Sequence, residues 1–129
     1  MMTTEQSRKF IQEYIAALCK EKSEETIDRY VSDPHLKSHI VIFETGMPGY
    51  QLIPKDIIAE GNKVCVRFLA EGVHKGELFG QSPTGRKVQV EGIIMYEVEN
   101  NKIVRHWLQA DSIALMQQIG SSEAEVEKN

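Results

Sequence analysis

Asp111 has the type and setting that acid/base chemistry asks for. Burial in an apolar cavity disfavours the charged form of a carboxylate and raises its pKa, so it can take and return a proton near neutral pH. The same residue stands just before a helical pattern, where it would be an N-cap, and cap hydrogen bonds lower a carboxyl pKa. The two roles predict opposite shifts. Trp107 lies four residues earlier. On a regular strand it shares a face with Asp111, and with Ile103, Arg105 and Gln109. It serves as core or as a flat wall for a ligand. His106 falls on the opposite face, toward a subunit interface, so no His106–Asp111 dyad is expected.

Three more histidines are candidates. His74 closes a strand in a His-x-Gly setting and is either a cavity-rim donor or a ring bonded to loop backbone. His39 sits in an irregular middle segment and His35 is expected in solvent. No His-x-His and no His-Glu-x-x-His occurs, so no metal site is expected. Pro83-Thr84-Gly85-Arg86 lacks the lysine and the entry into a helix that a phosphate loop needs, and reads as a tight turn. Cys19 and Cys65 show no metal-site spacing and read as small buried apolar residues.

The elements that must position these groups follow from periodicity. Thr3 and Gln6 form a capping-box pattern, and Phe10, Ile11, Tyr14, Ile15 and Leu18 recur at helical spacing. That stripe is core, and Phe10 or Tyr14 can also line a cavity, because a dry cavity and a packed core want the same residues. Ser23 caps a second helix, with Glu24 and Glu25 in its first turn, and Asp33-Pro34 is expected to stop it. Residues 36–54 read as turns around a short helix at 40–45. Strands follow over 63–74, 88–98 and 103–110. Asn100-Asn101 turns the last pair into a hairpin, and Asp111 or Ser112 caps a final helix ended by Gly120. The expected fold is α+β, with helices segregated on one face of an antiparallel sheet. It comprises a single domain over residues 1–120 and a frayed polar tail over 121–129.

Composition narrows the function classes. The chain has 129 residues, a formal net charge of −4 and 26% charged residues without a basic cluster. That disfavours nucleic acid, which needs a concentrated positive footprint. No apolar run approaches the roughly 18 residues of a membrane span, and no signal segment is visible. With two unpaired cysteines, a reducing, cytoplasmic setting is expected.

Several segments then combine. They are Ala59-Glu60-Gly61-Asn62-Lys63-Val64, Gly72-Val73-His74-Lys75-Gly76-Glu77, Pro83-Thr84-Gly85-Arg86, Lys102-Ile103-Val104-Arg105-His106-Trp107 with Asp111, and Gln117-Gln118-Ile119-Gly120. In this order and spacing they resemble the SnoaL-like polyketide cyclase family, of the nuclear-transport-factor and ketosteroid-isomerase-like superfamily, over residues 10–120. The resemblance implies a cone-shaped, strongly curved antiparallel sheet wrapped round N-terminal helices, an internal pocket and a short C-terminal helix. It implies a homodimer through the outer face of the sheet. It further implies ring closure of a small hydrophobic, polyketide-like carbonyl compound without cofactor or metal. Asp111 then serves as acid/base and His39 matches a histidine position common in the family, while Trp107, His74 and Tyr14 join His39 as substrate-binding candidates from their own settings. Asn62 and Asn100-Asn101 depart from the family's usual turn residues. The alternative is a ligand-binding protein that uses the same pocket without chemistry.

Overall fold

The computed structural model describes residues 2–120, so the tail expected over 121–129 lies outside the described residues. Helix α1 spans Thr4–Lys20 and opens on a complete capping box, Thr3 with Gln6. Its apolar stripe, Phe10, Ile11, Tyr14, Ile15 and Leu18, is buried as the spacing requires. Helix α2 spans Glu24–Tyr30 under the Ser23 cap.

Asp33-Pro34 works as a start rather than a stop. Asp33 caps a helix α3 of 13 residues, Pro34–Gly46, with its carboxylate accepting from the His35 and Leu36 N–H groups. Proline fits the first helical position because its missing N–H would have no partner there. The expectation of turns around a short helix is corrected accordingly.

Four antiparallel strands follow in chain order: β1 Gln51–Glu60, β2 Lys63–Val73, β3 Lys87–Glu99 and β4 Lys102–Ala110. β1 begins before Pro54, which an edge strand tolerates, and its register shifts at Pro54/Asp56. Along β3, Val88, Val90, Ile94, Tyr96 and Val98 face the core. The chain turns at Asn100-Asn101, both at positive φ. A last helix, α4, spans Ser112–Gln118 under the Asp111 cap. The fold is thus the expected α+β arrangement, and its sheet is an open one, with β1 and β4 at the edges.

Two apolar clusters fill the inside. The larger joins α1, α2 and α3 to the inner faces of β2, β3 and β4, and the smaller gathers Met47, Tyr50, Leu78, Val88, Val90, Leu115 and Ile119. Among the described residues, no helix is long and apolar enough to cross a membrane.

A register shift at Glu97/Val98 decides what β4 presents. Val98 pairs with Ile103 and Glu97 with Arg105, so β4 carries one extra residue, Val104. A bulge of this kind reverses side-chain alternation. Ile103 is therefore fully buried, while Arg105 and Trp107 fall on the outer face and His106 and Leu108 on the inner one. The assignments of His106 to the outer face and of Trp107 to a ligand-facing side are both corrected by this single extra residue.

Candidate active site

A cavity of about 390 Å³ lies between α1, α3, the inner face of the sheet and α4. Its depth is legible in the exposure of its walls. Tyr14, Tyr96, Ile40 and Met47 are buried, whereas Phe79, Gln109, Ala110, Asp111 and Ser112 are exposed and mark the mouth. Most of the lining is aliphatic or aromatic. Among the described residues, the only carboxylate on the wall is Asp111, and no Lys or Arg lines it.

The inner polar groups are phenols. The Tyr14 and Tyr96 rings meet edge to face, 5.7 Å between centroids. Their hydroxyls lie close enough to act on one another, and each neutral phenol carries one O–H donor. Burial above all, and then repulsion from neighbouring phenolates, holds both well above the usual tyrosine range. They are neutral donors at every physiological pH. Tyr50 is also raised, by burial first and then by Glu44. The largely buried Lys22 ammonium lies behind it, 4.4 Å from the ring centroid and 3.7 Å from Glu44 Oε1.

His39 lines the cavity from α3, with its ring 4.6 Å from that of Phe43. Burial, and then the charge on His106, lowers its pKa, so it is neutral at pH 7 and its ring offers one donor and one acceptor. His106 instead bonds Asp33 through Nδ1 at 2.7 Å, which ties β4 to the start of α3. No His106–Asp111 contact forms.

Asp111 stands at the mouth and not at the inner end. It is exposed, and its Oδ1 accepts from Ala114 N–H at 3.0 Å as the cap of α4. Oδ2 has no partner among the described residues. Trp107 is absent from the cavity wall and 47% exposed on the outer face. The expectation that its ring touches a ligand beside Asp111 is corrected, because the Val104 bulge and the turn of the chain into α4 separate the two.

His74 takes the loop-bonded role of its two and not the cavity-rim, substrate-binding one. It is fully buried away from the cavity, where Nδ1 accepts from Thr84 N–H at 3.3 Å and lies 3.1 Å from Thr84 Oγ1. It braces the 75–86 loop. Of the five site residues expected from sequence, the cavity collects Tyr14, His39 and Asp111 and leaves out Trp107 and His74. Sequence reading missed Tyr96, Tyr50, Phe43 and Phe79. Tyr96 was legible only as one more apolar position of β3, and residues 43–50 were obscured because α3 was read as turns.

The model of the SnoaL-like polyketide cyclase family matches residues 2–119. No curated protein matches the chain. Among solved structures it is similar to AclR, a candidate hydroxylase from Streptomyces galilaeus. That match has a TM-score of 0.81 and 20% identity, over 97% of this chain and 87% of that one. TsrD from Streptomyces laurentii gives 0.75 and 22%, over 90% and 96%. A SnoaL-like polyketide cyclase from Agrobacterium tumefaciens gives 0.71 and 18%, over 93% and 100%. At these identities the likeness establishes the fold.

Proposed function

The chain belongs to the SnoaL-like polyketide cyclase family, and on that premise we propose that its cavity takes a small, uncharged, hydrophobic carbonyl compound of polyketide type. It acts on that compound by cofactor-free acid/base chemistry of the cyclase or isomerase kind. The observation that carries the reading is the polarity of the cavity. Its inner end offers a neutral phenolic O–H, its walls are apolar, and its mouth holds one carboxylate.

A ligand carbonyl oxygen accepts from the Tyr14–Tyr96 pair, which stabilises negative charge as it develops on that oxygen. Asp111 Oδ2 takes a proton from the carbon next to a carbonyl near the mouth, and an enolate forms. In ring closure the enolate carbon attacks the second carbonyl carbon. The carbon–oxygen π bond opens to an alkoxide held by the Tyr14–Tyr96 pair. The alkoxide takes a proton from solvent while Asp111 releases its own to solvent at the mouth. Bonds and protons balance without an oxidant, and return of the proton to another carbon gives isomerisation instead. His39, neutral and on the wall, is the second group able to carry a proton.

One observation favours the alternative, a binding protein without chemistry: Asp111 is exposed and already caps α4. Exchange of the methyl protons of acetophenone in heavy water separates the two. Asn caps a helix about as well as Asp, so Asp111→Asn keeps the fold. The enzyme reading expects a loss of exchange of about a hundredfold or more, with acetophenone affinity within about tenfold. Equal exchange in both proteins leaves the binding reading.

The proposal extends to the assembly and its setting. Ile58, Cys65, Met95 and Trp107 stand opposite one another across all four strands, on the outer face, with Ile58 70% and Trp107 47% exposed. This apolar row supports a homodimer through the sheet. The free thiols of Cys19 and Cys65 support a reducing, cytoplasmic setting.

A further inference from the structure

Two tight turns in this chain share a backbone and differ in sequence. Asn100-Asn101 closes the β3–β4 hairpin at φ 51° and 58°, and Phe79-Gly80 closes a second turn at φ 50° and 79°. In the second, Leu78 and Gln81 exchange both backbone hydrogen bonds, at 3.0 and 2.9 Å. Positive φ at both central positions marks the mirror-image turn, which favours Asn, Asp or Gly in its first place. The hairpin obeys that preference. The second turn puts an aromatic residue where Cβ crowds the backbone.

Burial does not repay the strain, because Phe79 is 52% exposed. Nor does a loose loop explain it. Leu78 is 1% exposed, and it packs so closely on Gly46 that a Cβ there would come within 2.8 Å of the Leu78 Cβ. Lys75 and Gly76 N–H both donate to Gly46 O at 3.0 Å, and Thr84 is fastened to the buried His74. The turn is pinned on both sides and holds its ring out at the mouth of the cavity, of whose wall Phe79 is part. There the ring meets Phe43 edge to face, with centroids 5.6 Å apart and planes at 77°. A strained conformation kept at the edge of a site, where the half-exposed ring gains only its contact with Phe43, points to use by the site.

We infer that Phe79 is a specificity residue: with Phe43 it clamps the flat, uncharged, conjugated part of a ligand at the cavity mouth, selecting planar ligands over flexible ones of similar size. An aromatic pair suits this because ring faces and edges attract one another beyond the area they bury. The inference rests on the reading of the cavity as a ligand site.

The test uses N-phenylnaphthylamine, an uncharged dye that fluoresces in apolar cavities, displaced by two ketones, the flat acetonaphthone and the flexible methyl octyl ketone. Phe79→Asn restores the residue type the turn prefers, so this variant melts no lower than the parent. Affinity for acetonaphthone falls by about tenfold or more in Phe79→Asn and Phe79→Ala, and that for methyl octyl ketone by less than about threefold. Phe79→Tyr, which keeps a flat ring, stays within about threefold for both. The clamp is overturned if Phe79→Asn binds acetonaphthone as the parent does, if both ketones lose affinity equally, or if that variant melts lower. A parent protein that binds neither ketone overturns the ligand reading along with the clamp. A parent that binds both, with Phe79→Asn unchanged, overturns the clamp alone.

Discussion

The Asp33 carboxylate uses both of its oxygens. Oδ1 accepts from the His35 and Leu36 N–H groups, and Oδ2 meets His106 Nδ1 at 2.7 Å. Burial pushes this carboxyl up, but the bond to His106 and the two backbone donors outweigh it and leave its pKa below the ordinary carboxylate value. A carboxyl lowered on folding contributes stability above its unfolded pKa, about 3.9, and that contribution drains away as pH falls through the folded value. His39 is lowered as well, so the unfolded chain takes a proton there first and stability declines below about pH 6.5. Asp33→Asn keeps a cap and loses the charge partner of His106. It should cost about 2 kcal/mol at pH 7 in urea denaturation, with a flatter acid limb below about pH 4 than the parent shows. This pair was illegible in the sequence. Its partners lie 73 positions apart, Asp33-Pro34 looks locally like a stop, and the Val104 bulge that turns His106 inward leaves no local signal in an otherwise alternating strand.

At the scale of elements, local chemistry carried most of the information. The Thr3–Gln6 box, the Ser23 and Asp111 caps and the Asn100-Asn101 turn all form where their residue types demand. Helix α3 was missed because Gly46, Pro48 and Gly49 cluster at and just beyond its end and because a proline that opens a helix looks locally like one that ends it. That helix matters to the site, since it carries His39, Ile40 and Phe43 along one wall. Its C-terminal end is fixed by the close passage of Gly76, where an added Cβ would lie 2.0 Å from Thr45 O. Backbone cannot yield that far. Gly76→Ala should therefore destabilise by about 2 kcal/mol or more, and differential scanning calorimetry would show the drop in melting temperature.

At the scale of the whole molecule, the order of elements and the family resemblance made the α+β fold legible, while the contents of its interior were not. Tyr96 reads as one more core position and Tyr14 as core or cavity wall alike, and only the assembled structure distinguishes a packed centre from a cavity with phenols at its end. The outer face of the sheet carries a prediction of its own. The Ile58–Cys65–Met95–Trp107 row has next to it, one register step on, the charged row Lys63, Glu97 and Arg105, with Arg105 donating to both oxygens of Glu97 at 3.0 and 2.7 Å. An apolar strip edged by charge suits a two-fold pairing that buries about 1,600 Å² in total. Light scattering at micromolar concentration should give the mass of two chains, and Trp107→Glu should give that of one without lowering the melting temperature of the separated chain.

The central claim is that the cavity receives a carbonyl oxygen at the Tyr14–Tyr96 pair. The carbon-13 shift of acetophenone labelled at its carbonyl carbon reads that contact directly. A carbonyl polarised by a phenolic O–H in an apolar site moves downfield. The bound signal should lie at least as far downfield as in water. It should return toward its hydrocarbon-solvent position when Tyr14→Phe and Tyr96→Phe are combined, which removes the donors and keeps the rings. A bound signal already at the hydrocarbon position, or one that the double substitution leaves unmoved, would contradict the account.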